Sequence, residues 1–234
     1  MAGLGDELLL LRAATGVTDQ SSEGNDGTYV GGMGVSGGEF EYDGTDDRIS
    51  VGRPVSLRLE AGPISISMFF TDDTGTNSLI TMGVSRGGVS ERTFDIFDTG
   101  SQLRFHGLHP SGVSWSLDTT TRPALGDRHH VVATWDGTTD AGAAKLYVDG
   151  ALAVSGTPST ASLTTGEEWN VGGIEQHRFA FDGQQDDIRI FGRAVSAAEV
   201  TLLYNSGTPG YDAATGAPAQ NAQNNNMRNI RMSP

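Results

Sequence analysis

Glycine clusters break this chain into short pieces, and that punctuation limits the folds open to it more than any other feature. Its 33 glycines among 234 residues are twice the usual ~7% share. Most sit beside Asp, Asn, Ser or Thr between apolar runs. Such clusters mark tight turns, because Gly reaches positive φ without steric cost and Asx side chains close a turn onto the backbone. The runs between them read as strands. The clearest is ISISMFF, which puts Ile64, Ile66 and Met68 on one face and Ser65 and Ser67 on the other. Similar runs occupy 39–42, 48–51, 78–82, 93–97, 103–107, 129–135 and 145–156, with a last one, DDIRIF, ending at Phe191. Asp149-Gly150 separates two alternating runs, the signature of a two-residue hairpin whose turn needs positive φ.

One segment reads as a helix. In SAAEVTLLYNSG, Ser196 and Glu199 have capping-box spacing. Val200, Leu203 and Tyr204 form an apolar stripe, and Gly207 is positioned as the stop. From Thr208 the composition shifts to Gly, Ala, Pro, Asn and Gln with no periodicity able to build a core. The expected organisation is therefore one domain over 1–207 and a C-terminal arm over 208–234.

With 36% hydrophobic and 19% charged residues, the chain has the means to bury a core and is unlike a disordered segment. Its net charge of −14 opposes nucleic acid, which proteins approach with clustered Lys and Arg. Lys145 is the only lysine among 15 basic residues, so a polybasic lipid-binding patch is not expected either. No cysteine is present, which removes disulfides, thiolate zinc sites and cysteine nucleophiles. The first residues carry no basic leader or long apolar segment, so neither an export signal nor membrane insertion is expected.

Three stretches together resemble the laminin-G-like, concanavalin A-like jelly rolls of bacterial and phage proteins. They are DQSSEGNDGTYVGG with FEYDGTDDRISVG, then HHVVATWDGTTDAGAAKLYVDGALAVSG, then NVGGIEQHRFAFDGQQDDIRIFGRAVSAAEVTLLYNSG. The resemblance implies an all-β fold: a two-sheet antiparallel sandwich with one short C-terminal helix, followed here by an extended arm. It also implies a structural calcium ion joining the N-terminal loop to the closing strand, and the matching positions are Asp19, Asn25, Asp26, Asp186 and Asp187. The same residue types make Asx turns without an ion. A second acidic stretch, 71–77, is readable as a calcium loop or as a plain turn.

Laminarinase-type relatives of this fold carry Glu-x-Asp-x-x-Glu on one strand, and that spacing is absent. Asp95 and Asp98 in TFDIFD read as outward polar positions of a strand. His129 and His130 open the central strand as in the family, which suits packing, and His106, His109 and His177 stand alone. No catalytic residue is assigned, and the chain is expected not to be an enzyme. Trp115 and Trp169 are the candidate sugar platforms, each next to Ser, Asn or acidic residues, while Trp135 reads as core. The leading expectation is a virion surface protein, such as a capsid decoration, fibre or tail component, made in the host cytoplasm. Its arm, with Arg228 and Arg231, would grip other protein subunits or copies of itself. The alternative is an extracellular module of an exported bacterial protein that binds a cell-surface glycan, and a remote alternative is a carbohydrate-active enzyme.

Overall fold

The computed structural model describes residues 4–59, 62–86, 89–108, 114–161, 168–173 and 179–207, with two short paired pieces at 211–212 and 217–218. Among the described residues, fifteen strands precede one α-helix, and the two short paired pieces follow it. The strands are β1 (Glu7–Leu11), β2 (Thr28–Val30), β3 (Gly34–Ser36), β4 (Glu39–Asp43), β5 (Arg48–Gly52), β6 (Ile64–Asp72), β7 (Ser78–Arg86) and β8 (Val89–Asp98). There follow β9 (Leu103–Leu108), β10 (Ser114–Asp118), β11 (Arg128–Trp135), β12 (Ala144–Val148), β13 (Ala151–Gly156), β14 (Trp169–Val171), β15 (Asp182–Phe191) and helix α1 (Ala197–Ser206).

The strands form two antiparallel sheets. One runs β13-β12-β11-β6-β15-β4-β3, with β1 also paired to β15, and the other runs β10-β9-β8-β7-β14-β5-β2. Alternation along each strand sends one side chain in two between the sheets. Ile64, Ile66, Met68 and Phe70 of β6 and Val131, Ala133 and Trp135 of β11 belong to the same buried cluster as Ile80, Phe94, Ile96, Phe105 and Val171 from the opposite sheet. Aromatic rings fill its centre: Phe94 lies 6.2 Å from Phe105, 6.0 Å from Trp135 and 6.4 Å from Trp169, centroid to centroid. The expected sandwich is thus the observed one.

β15 is shared along one edge by two strands. β4 pairs with its first half, Asp182 to Gln185, and β1 with its second, Ile188 to Phe191. Between them the register shifts, and Asp187 takes a positive φ of 51°. This break aims Asp187 at Arg189.

The serine face of β6 is as buried as its apolar face: Ser65 is 0% and Ser67 1% exposed. The segment leading into α1 lies over it. Ser65 Oγ donates to the Arg193 carbonyl at 2.7 Å and accepts from the Val195 amide at 2.9 Å. Val195, Val200 and Leu203 pack on Val132, Tyr147 and Phe191 as a second apolar cluster. Full burial of each such side chain stabilises the docked helix by about 1.5–3 kcal/mol. The capping box is present, with Ser196 Oγ accepting from the Glu199 amide and Glu199 Oε2 from the Ser196 amide. Gly207 ends the helix for a reason other than the one its position suggested. Its φ of −92° is open to any residue, but a Cβ there would stand 2.0 Å from the Phe69 ring.

Among the described residues, no helix is long and apolar enough to cross a membrane.

Candidate functional site

With Ile49, Val171, Ile80, Ile96, Phe105 and Leu117 turned into the core, the alternate positions of the seven-stranded sheet face outward. Register places Ser50, Asn170, Thr81, Asp95, His106 and Ser116 side by side across β5, β14, β7, β8, β9 and β10. Every member of this row carries a hydrogen-bonding group. Its middle is shielded from solvent: Thr81 and Asp95 are 0% exposed and Asn170 1%. Ser78 Oγ donates to Asp95 Oδ1 at 2.8 Å, and Thr81 Oγ1 donates to the Phe94 carbonyl at 3.1 Å.

The end of the row on β9 and β10 is open, with His106 half-buried and Ser116 exposed. Two residues along the same face, Phe97, Arg104 and Asp118 form a parallel row. The Arg104 guanidinium carbon lies 5.5 Å from the Phe97 ring centroid. Both its Nε and, at 3.0 Å, its Nη2 donate to the Asp118 carboxylate. The hydrogen bond to Asp118 raises the Arg104 pKa above its ordinary value, so the pair is held as an ion pair. All three side chains are half-buried. An aromatic ring, a fixed guanidinium and carboxylate, an imidazole and a hydroxyl thus share one accessible patch on rigid strands. Such a patch suits stacking combined with directed hydrogen bonds.

Trp115 and Trp169 are not part of it. Expected as platforms, they are 6% and 0% exposed. Trp115 shares the parity of Leu117 and so points inward, its ring 5.2 Å from Phe105 and 5.8 Å from Trp135. Gly107 opposite leaves it room: a Cβ there would lie 2.6 Å from the indole. Trp169 donates its indole N–H to the Leu57 carbonyl at 3.0 Å. Both are core residues, because neighbouring polar residues in sequence occupy the opposite face of a strand.

Asp19, Asn25 and Asp26 do cluster beside β1, and each accepts a hydrogen bond from the chain's own donors. Asp19 Oδ1 accepts from the Leu10 and Ser21 amides, each at 2.9 Å, and its Oδ2 from Ser21 Oγ and the Asn25 amide, each at 2.7 Å. Asp26 accepts the Asp19 amide, and Asn25 donates to the Leu8 carbonyl. On β15, Asp186 accepts the Ala13 amide at 2.9 Å. Asp187 lies between Arg12 at 2.9 Å and Arg189 at 2.7 Å, and Arg189 also donates to Glu7 at 2.9 Å. Burial acts to raise the Asp187 pKa, but the two guanidinium groups outweigh it and hold the carboxyl below its ordinary value. The joint between N-terminal loop and closing strand is therefore made of amides, carboxylates and arginines, with the charge at Asp187 balanced by Arg12 and Arg189.

In the 71–77 stretch, Asp72 Oδ1 accepts from the Thr74 and Gly75 amides, an Asx-type turn. His129 pairs with Asp149 at 2.8 Å and His130 with Ser67 at 3.0 Å, both as structural contacts. His109, His177, Arg228 and Arg231 lie outside the described residues. The open patch was missed from sequence because Phe97, Arg104, His106 and Asp118 come from three strands, and only register unites them. Among the described residues, the acidic groups within one ion's reach are Asp43, Asp46 and Asp47. They sit inside the FEYDGTDDRISVG stretch, in the turn between the strand runs 39–42 and 48–51.

A sandwich of two antiparallel sheets closed by a short helix places the chain in the jelly-roll class of all-β folds. Within it, a profile of the concanavalin A-like lectin/glucanases superfamily matches residues 43–201, and the chain belongs to that family. A comparison with characterised protein sequences returns no match. Among solved structures the chain is similar to the binding domain of Paraclostridial Mosquitocidal Protein 1, at TM-score 0.69 and 14% identity over 86% of this chain and 52% of that one. It is similar to domain 4 of AbnA, an extracellular GH43 arabinanase of Geobacillus stearothermophilus in complex with arabinotriose, at TM-score 0.63 and 19% identity over 85% of this chain and all 100% of that one. A third is the ligand-binding domain of botulinum neurotoxin serotype D in complex with N-acetylneuraminic acid, at TM-score 0.64 and 13% identity, covering 87% and 51%. The chain spans about half the length of the toxin binding domains it matches.

Proposed function

We propose that the chain is a non-enzymatic carbohydrate-binding module whose ligand docks on the outer face of the seven-stranded sheet, over Phe97, Arg104, His106, Ser116 and Asp118. The observation that carries the reading is that patch: a half-buried aromatic ring beside fixed donors and acceptors, on strands rather than loops. Sugars offer what it recognises, an apolar ring face and a rim of hydroxyls. Support comes from the similar structures whose names state arabinotriose and N-acetylneuraminic acid as bound ligands. A net charge of −14 favours a neutral glycan over a polyanionic one.

Glycoside hydrolysis needs two carboxyl groups flanking the bond, about 5–5.5 Å or 6.5–9.5 Å apart. Among the described residues, Asp95 is the buried acid of this face, and its outward neighbours are Thr81, His106, Thr93 and Phe97. Asp118 is two strands away and bonded to Arg104. This arrangement supports binding without cleavage. A virion-surface role rests on the arm, and no described residue adds to it.

A glycan array probed with the full chain tests the proposal, followed by titration calorimetry with the best ligand. Binding is expected, and Phe97→Ala and His106→Ala should each weaken it roughly tenfold, equivalent to about 1.4 kcal/mol, with the melting temperature held. No binding to any glycan, or binding indifferent to both substitutions, would overturn the assignment.

A further inference from the structure

The outward row that holds Asp118, Arg104 and Phe97 continues past β8. On the other side of Phe97 the register reaches Ser78 of β7, and the Ser78 amide donates to the Phe179 carbonyl at 3.1 Å. Phe179, in the segment that leads into β15, therefore extends the row by one position. Ser78 between the two phenylalanines is 0% exposed, its Oγ bonded to Asp95, whereas Phe179 is 40% exposed. Two steps across a sheet separate the Phe97 and Phe179 backbones by roughly 9–10 Å.

The backbone at Phe179 is strained. Its φ is 56°, an outlier for a bulky residue, and such a conformation costs about 1–3 kcal/mol. Hydrogen bonds on both sides hold it there. Ser78 fixes the Phe179 carbonyl; two residues on, the Phe181 amide donates to the Gly172 carbonyl at 2.8 Å and the Phe181 carbonyl accepts the Gly44 amide at 3.0 Å. Side chains two apart on a regular strand share a face. Phe181 is 0% exposed in the intersheet core, its ring 5.5 Å from Tyr42, so a regular strand would send Phe179 inward as well. The left-handed turn breaks that parity and leaves Phe179 partly in solvent. Folding alone gives little reason for phenylalanine here, since Asn or Gly adopts this conformation at lower cost.

We propose that Phe179 is a second aromatic subsite of the sheet face, and that the ligand is an oligosaccharide laid across the strands from Phe179 over Phe97 to the Arg104–Asp118 pair. The inference rests on the carbohydrate reading of that face and adds a length requirement to it. Platforms on backbones this far apart are too distant for one sugar ring to cover, whereas successive residues of a chain reach both. The two rings fix the chain at two points, and the guanidinium and carboxylate at one end are directed partners for its hydroxyls. A backbone held rigidly in place presents the second ring without an ordering cost on binding.

The test is titration calorimetry of the full chain with matched mono-, di- and trisaccharides of the neutral sugars that a glycan array returns, on the parent, Phe97→Ala and Phe179→Asn. Affinity is expected to rise roughly tenfold from mono- to trisaccharide. Phe179→Asn should remove most of that gain, and its melting temperature should equal or exceed the parent's, because Asn accepts the left-handed conformation. Equal affinities for mono- and trisaccharide in the parent, an undiminished length dependence in Phe179→Asn, or a lowered melting temperature in that variant would overturn the subsite. Each of those outcomes leaves the face reading standing as long as Phe97→Ala weakens binding. Binding that ignores Phe97 as well, or no binding at all, removes both.

Discussion

His130 shows how one buried side chain sets a response of the whole fold. It is 1% exposed, its ring 4.4 Å from Phe69, with Ser67 Oγ 3.0 Å from Nε2. Burial pushes its pKa from the ordinary 6.5 down to about 3, against the pull of Asp187 and Asp149. The unfolded chain therefore binds this proton more readily than the folded one across the interval from 6.5 down to about 3. The contribution is fully present above that interval and is lost as pH falls through it, by about 1.4 kcal/mol per unit. Urea unfolding at a series of pH values is expected to show stability falling from pH ~6.5 downward. His130→Asn, which keeps a hydrogen-bonding group but cannot titrate, should be less stable at neutral pH and should lose one proton's worth of that slope. An unchanged slope would assign the acid sensitivity to other groups. None of this was legible in the sequence, where His129 and His130 look alike. Strand parity gives one an aspartate at the surface and the other a slot beneath α1.

Elements whose defining contacts are local were legible, and those defined by distant partners were not. The Asp149-Gly150 turn has the expected positive φ values of 51° and 79°, because two adjacent residues determine it. Helix α1 begins where the capping box put it, since Ser196 and Glu199 lie three positions apart. β1 was missed: Glu7 and Leu9 to Leu11 are all buried, so no alternation betrays a strand. The bulge at Asp186 and Asp187 was missed too, because it answers to Arg12 from the far end of the chain. At the helix itself, Ser196→Ala removes one cap and should cost about 1 kcal/mol, read as a lower urea midpoint. Gly207→Ala should cost more, since its methyl group must displace the Phe69 ring. Equal small effects from the two would mean that the helix end yields freely, contrary to the contact that Gly207 makes.

At the scale of the molecule, the expected division at Gly207 can be tested against where the described core lies. Among the described residues, both apolar clusters lie within residues 4–203: the intersheet core draws on strands from β1 to β15, and the smaller cluster closes over Leu203. At the end of the helix, a Cβ at Gly207 would meet Phe69, and the Gly207 carbonyl accepts from Arg128 at 3.1 Å. Ending the chain at Gly207 keeps all of these, whereas ending it before Ser196 would uncover Val132, Tyr147 and Phe191. A chain of residues 1–207 is therefore expected to melt within a degree or two of the full chain, since surface changes away from buried features alter stability by less than about 0.5 kcal/mol. It should keep any glycan binding, because Phe97 and His106 sit on β8 and β9. Light scattering on the two chains then isolates what the arm contributes. An oligomer seen only with the arm would support its role in assembly with Arg228 and Arg231 as contacts. Identical masses would remove the arm from any account of assembly and leave the sheet face as the surface through which this protein acts.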